Sequence, residues 1–142
     1  MGSINSVLRF ENYIINKIQY TKNENYQNNE ETKKEIDVDL SIKPNIKVDE
    51  EKMIVNLSTY IFKNSIENNY PFELEIEITG FFTTTGDAVD RFKANAIAIM
   101  YPYVRAIVST YTALANIPPL ILPAINVNAL LEQQNNNKKR TE

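Results

Sequence analysis

The stretch "PFELEIEITG", Pro71 to Gly80, alternates without a break. Phe72, Leu74, Ile76 and Ile78 point one way; Glu73, Glu75, Glu77 and Thr79 point the other. Period two over that length is the pattern of a half-buried antiparallel strand. Three stretches upstream read the same way. Val7 to Tyr20 carries Leu8, Phe10, Ile14, Ile18 and Tyr20 on even positions. Ile36 to Lys43 sets Ile36, Val38, Leu40 and Ile42 against Asp37, Asp39, Ser41 and Lys43. The third runs from Met53 to Phe62. Their links are polar: "TKNENYQNNEETKK", then "KPNIKVDEEK" with Pro44 and a charge cluster, then the turn region "KNSIENNYP". Strands in succession with polar links predict a meander.

Downstream the period changes. In "AVDRFKANAIAIMYPYVRAIVSTYTALANI" the residues Val89, Phe92, Ala96, Met100, Tyr103, Ile107, Tyr111 and Leu114 step by three and four. That spacing predicts a helical stripe about 30 residues long, roughly 45 Å at about 1.5 Å per residue. Asp87 can cap its start. Pro102 falls inside it and should bend it. Ile97, Ile99, Val104 and Val108 lie off the stripe, so more than one face is apolar. Two readings follow: burial between the chain's own sheet and a partner subunit, or one large core.

The next segment, "NIPPLILPAINVNALL" from Asn116 to Leu131, is uncharged and holds Pro118, Pro119 and Pro123. Prolines so placed exclude a helix interior and a central strand. Loops normally run over the surface, yet this one carries Leu120, Ile121, Leu122 and Ile125. It either covers an end of the sheet or walls a groove, its prolines lowering the ordering cost of binding. A short second helix should follow, capped by Asn126, with Val127, Leu130 and Leu131 on its apolar side. No charge occurs from Ala106 to Leu131, but the prolines and Asn116, Asn126 and Asn128 argue against a membrane span. The order is therefore β-β-β-β-α-loop-α: an α+β fold in a single domain, residues 1–142, with 1–6 and 133–142 as flexible tails. The basic run Lys138-Lys139-Arg140 belongs to the second tail.

Composition removes several chemistries. The chain has 142 residues, net charge −3, no cysteine and no histidine. Disulfides, thiol or imidazole catalysis and thiolate or imidazole metal sites are excluded. Lack of cysteine fits a reducing compartment, and a cytoplasmic location is expected. No basic patch marks a nucleic-acid binder. With three glycines, Gly2, Gly80 and Gly86, the phosphate-cradling motifs are absent. The opening shows no secretory apolar region, and Gly2 with Ser6 matches only a weak myristoylation pattern. Glu73, Glu75 and Glu77 form the best-defined charge feature, about 7 Å apart on one strand face. They could hold a cation, do acid-base work, dock a basic partner or face solvent. An enzyme would rest on this triplet alone, and none is expected.

The residues from Ala98 to Leu130 resemble the SecB family of protein-export chaperones. The resemblance is carried by Tyr101-Pro102-Tyr103-Val104-Arg105, Ser109-Thr110, Pro118-Pro119-Leu120-Ile121-Leu122-Pro123-Ala124-Ile125-Asn126 and Ala129-Leu130. Upstream, the strand order and the Gly80-Phe81-Phe82 ending of the fourth strand are similar by pattern. The resemblance implies an ATP-independent holdase that binds unfolded polypeptides in extended form and uses no cofactor. It implies a client groove, for which Ile18, Tyr20, Phe81, Phe82, Leu120, Leu122, Val127 and Leu131 are the candidates. It also implies a dimer of dimers with the long helices between two sheets, through Met100, Tyr103, Ile107 and Tyr111. Family members for export dock the motor ATPase SecA through an acidic sheet face, here Glu73, Glu75 and Glu77. This chain departs from that pattern: Lys17 stands where an acid is expected, and the C-terminal docking region is Asn-rich, ending "KKRTE". Dedicated chaperoning of a toxin–antitoxin pair, or a structural oligomer without client binding, are the alternatives.

Overall fold

The chain folds into four strands and two helices: β1 (Val7–Lys22), β2 (Leu40–Asp49), β3 (Lys52–Ile61), β4 (Phe72–Thr85), α1 (Val89–Leu114) and α2 (Val127–Thr141). The computed structural model describes residues 7–27, 38–85, 89–117 and 120–141, without the side chains of 89–90 and 135–141. The strands form one antiparallel sheet in the order β1-β4-β3-β2. The expected α+β class therefore holds, but the meander does not. Only β2, β3 and β4 follow one another as neighbours. β1 pairs with β4, because residues 23–39 are far too long a link for a hairpin. Ile36 of the expected second strand, Asp87 as the expected helix cap and the Pro118-Pro119 pair fall outside the described residues.

Both helices lie on one face of the sheet. That face is built from Met53, Val55, Leu57 and Ile61 of β3 and Phe72, Leu74, Ile76, Ile78 and Phe82 of β4, all buried. α1 covers it with Phe92, Ala96, Ile97, Met100, Tyr101, Val104 and Val108. Beyond Met100 this differs from the expected stripe. Met100 to Val104 to Val108 and Met100 to Tyr103 to Ile107 are both helical steps, and periodicity does not choose between them. The sheet takes the first; Tyr103, Ile107 and Tyr111 turn toward β1. α1 continues through Pro102, which is exposed. The carbonyl that loses its donor, that of Ala98, also lies on the exposed side, where water serves it. Gly80 lets the helix approach. A Cβ there would meet Met100 Sδ at 2.6 Å and Phe82 Cε2 at 3.1 Å.

Two boundaries moved outward. β2 does not stop at Lys43 but runs through Pro44 to Asp49, with Pro44 opposite Leu57. An edge strand tolerates a proline where its missing N–H would face away from the sheet. α2 continues to Thr141, so most of the segment read as a C-terminal tail is helical backbone. Within β1, the register shifts between Phe10 and Asn12 and again between Ile15 and Lys17. Each bulge flips the side-chain parity. Leu8, Phe10, Ile18 and Tyr20 face the helices as expected, but between the bulges Tyr13 does, and Ile14 is turned out, 44 % exposed.

Candidate binding groove

The crossover loop owes its shape to hydroxyls on α1. α1 ends with Asn116 in the left-handed region, φ 61°. Asn116 N–H donates to the Ala113 carbonyl at 3.2 Å and Ile117 N–H to the Thr112 carbonyl at 3.3 Å. This paired closure is the Schellman arrangement, with asparagine in place of the usual glycine. It reverses the chain, and the loop then returns along the helix. Leu120 N–H donates to Thr112 Oγ1 at 2.9 Å, and Ser109 Oγ donates to the Leu120 carbonyl at 3.0 Å. Thr112 Oγ1 passes its own proton to the Val108 carbonyl at 2.8 Å. Tyr101 Oη donates to the Pro123 carbonyl. Burial pushes the Tyr101 phenol above the usual tyrosine range, while nearby Arg105 pulls the other way. Three side chains of one helix thus hold an irregular segment at two points.

Held this way, the loop splits its apolar residues. Leu122 is driven into the core, 1 % exposed, while Ile121 stands out at 74 %. Leu120 and Ile125 are half-buried. The loop then reaches the β2 side of the sheet, where Asn126 Oδ1 accepts from Ala129 N–H at 3.0 Å and starts α2. The cap is the one expected from sequence. α2 lies beside β2, and Gln134 donates its side-chain amide to the Pro44 carbonyl.

An open cleft lies between these elements. One part, about 280 Å³, is lined by Leu40 and Ile42 of β2 and by Ile125, Ala129 and Leu130. It continues past Leu130 into a second part of about 370 Å³, bounded by Lys43, Pro44, Gln133 and Gln134. Its walls are apolar and its rim is polar, the composition of a site that takes up apolar side chains. Residues that line it were missed in the sequence reading. The sequence shows Leu40 and Ile42 only as strand alternation; that β2 ends up as an edge, with α2 alongside, is not legible in it.

The sequence-predicted groove residues are not brought together. Phe82 and Leu122 belong to the core, because β4 is central and the clamped loop drives Leu122 inward. Phe81 points to the opposite face of the sheet, paired across the strands with Ile54 and Asn12. Ile18 and Tyr20 lie on β1, at the far edge from the cleft, and the Tyr20 ring lies tilted against those of Phe72 and Tyr111. Leu120, Val127 and Leu131 are half-buried beside the core on the loop and α2. Of the helix residues read as an oligomer surface, Met100 is taken up entirely by the chain's own core. Tyr103, Ile107 and Tyr111 remain on the flank, with Tyr103 against Phe10 and Tyr13.

The outer sheet face carries the glutamates, and each is engaged. Glu75 pairs with Lys17 at 3.0 Å, Glu77 accepts from Asn56 Nδ2 at 3.0 Å, and Glu73 accepts from Asn64 N–H at 2.9 Å. No acidic cluster that could hold a metal ion occurs among the described residues. Nor, among them, is any helix long and apolar enough to cross a membrane.

Comparison with known proteins gives this architecture its family. An uncharacterized protein of Methanocaldococcus jannaschii is 34 % identical over 145 residues, covering 95 % of this chain and 93 % of that protein. The protein-export protein SecB of Alcanivorax borkumensis is 32 % identical over 80 residues, 54 % of this chain and 51 % of its own length. Among solved structures, a SecB-like chaperone of Mycobacterium tuberculosis in complex with a ChAD peptide from an antitoxin superposes with TM-score 0.66 at 16 % identity, over 84 % of this chain and 91 % of that one. A Streptococcus agalactiae protein of unknown function gives TM-score 0.56 at 15 % identity, over 84 % and 98 %. The family model described as preprotein translocase subunit SecB matches residues 14–138, and the chain belongs to the SecB family.

Proposed function

We propose that the chain is an ATP-independent holdase that takes non-native polypeptides in extended form into the cleft between β2, the crossover loop and α2. The observation that carries this reading is the cleft itself: apolar walls from Leu40, Ile42, Ile125 and Leu130 beside the edge strand β2, whose outer side pairs with no strand among the described residues. Apolar side chains of a client bury against the walls, and backbone pairing at the edge adds contacts that do not depend on sequence. The Mycobacterium tuberculosis relative, bound to a peptide, supports a polypeptide as the ligand. The proposal includes assembly of several subunits in the cytoplasm, no cofactor and no catalysis. Its role is to keep clients competent for export.

A dedicated role for one client is favoured by a specific observation. The carboxylates expected to meet the export motor are already bound within the sheet, Glu75 by Lys17. SecA docking through Glu73, Glu75 and Glu77 would have to break these contacts. A chaperone working apart from the motor would not.

Ala129→Glu is the sharpest test. Ala129 is exposed, lines the cleft and sits at the third position of α2. A glutamate there favours the helix start, so the fold keeps its stability. It nevertheless puts a charge among the apolar walls. Wild type at several-fold excess should suppress aggregation of a slowly refolding denatured protein without ATP, and Ala129→Glu should not. Wild type failing on every client tried would remove the general reading and leave the dedicated one, to be tried on a single partner.

A further inference from the structure

Gln134 occupies a chemically telling place at the sheet edge. Asp39 turns its carbonyl toward β3, accepting from Phe62 N–H at 2.9 Å. Alternation along a strand then points the main-chain groups of Leu40, Ile42, Pro44 and Ile46 outward, to the free edge. Their side chains stand over the helix face, opposite Ile61, Thr59, Leu57 and Val55. At Pro44 the row loses its donor, leaving only the carbonyl. That carbonyl is met by the Gln134 side-chain amide. A primary amide offers the same neutral N–H donor as a peptide backbone. Gln134 thus stands where the N–H of an added strand would stand.

We propose that Gln134 is a gating residue of the cleft: it holds α2 over the β2 edge by standing in for the backbone donor of a bound chain, and a client enters by displacing it. This rests on the cleft being the polypeptide site. The closure is weak enough to open. Val127, Leu130 and Leu131, the apolar anchors of α2, are only half-buried, and after Leu131 the helix continues as Glu132-Gln133-Gln134 and three asparagines with no further apolar residue. Asparagine is a poor helix former. A single neutral hydrogen bond contributes little net stability when a competitor can make the same bond.

The test uses the full chain and a fluorescent peptide of alternating leucine and serine, followed by anisotropy. Gln134→Ala removes the gate and should bind the peptide about three- to tenfold more tightly, the worth of one hydrogen bond no longer contested. The gain should come through faster association. Gln134→Glu, an acceptor without a donor, should behave alike. A peptide N-methylated on alternate residues cannot replace the lost bond, so it should bind wild type more weakly than the plain peptide while gaining from both variants as well. A merely structural role for Gln134 would loosen α2 and weaken binding of both peptides. Binding by Gln134→Ala that is weaker than or equal to wild type overturns the gate, as does equal binding of the two peptides to wild type; in either case the cleft remains a polypeptide site. If the variants bind and wild type does not, the gate is supported in its strongest form. If none binds, the cleft reading and the gate fall together.

Discussion

Two buried threonines on the same apolar layer have opposite expected consequences. Thr59 is fully buried on β3 between Ile42 and Ile76, and its Oγ1 has no hydrogen-bond partner. Thr112 is equally buried, but its Oγ1 holds Leu120 N–H and donates to Val108. Threonine to valine is nearly isosteric, so the hydroxyl alone decides the sign. Thr59→Val should raise stability by about 1 kcal/mol, since it removes an unpaid polar burial. Thr112→Val should lower it by about 1–3 kcal/mol, because it leaves the Leu120 N–H unpartnered. Urea midpoints read both, and a Thr112→Val variant no less stable than wild type would sink the account of the loop clamp. Neither role is legible in sequence, which shows two threonines without their partners. The Ser109-Thr110 pair quoted for the family pattern pointed near the clamp, but it is Ser109 with Thr112, on one side of the helix, that does the holding; Thr110 is exposed.

At the scale of elements, β4 and α1 were legible because each repeats one period without interruption. β1 was half legible. Its bulges at Glu11 and Asn16 lie in ordinary polar residues, and nothing local marks them, so Ile14 was assigned inward and stands outward. β2 was cut short at Pro44 because a proline bars a central strand but not an edge, and edge or centre is decided by the whole sheet. α2 was cut short because asparagines and lysines read as a tail. The lining of the cleft is the least legible feature: it depends on where β2 and the loop meet, which is tertiary. The link between α1 and the loop can be tested by pH. The folded phenol of Tyr101 titrates above its unfolded value, so the folded state holds the proton more tightly. Its stabilisation is complete below about pH 10 and is lost as pH rises through the folded value. Tyr101→Phe, which cannot donate to Pro123, should cost about 0.5–1.5 kcal/mol at neutral pH. The gap to wild type should be constant up to about pH 9 and narrow at about pH 11. Using the difference cancels the other tyrosines. A gap that stays constant throughout would show that burial does not raise the folded phenol, and no gap at neutral pH would show that the Pro123 contact contributes nothing.

For the whole molecule, the sheet covers only one side of α1. The other flank presents Tyr103, Ile107, Tyr111 and Leu114, the last 78 % exposed, beside the edge strand β1. A helix apolar on more than its sheet-facing side leaves that surface to be covered by another copy in the proposed assembly. Assembly and binding can then be separated, because the cleft lies at β2, across the sheet from this flank. Ile107→Glu with Leu114→Glu should reduce the solution mass to that of one chain while the circular dichroism spectrum is retained. Neither residue lines the cleft, so a short peptide that fills one cleft should bind with unchanged affinity. A long unfolded chain should lose about tenfold or more, since it engages several clefts only when they are linked. A double variant that stays assembled refutes the flank as the interface. One that becomes a single chain yet holds long clients as tightly as wild type shows that each cleft acts alone, and that the assembly serves some purpose other than avidity.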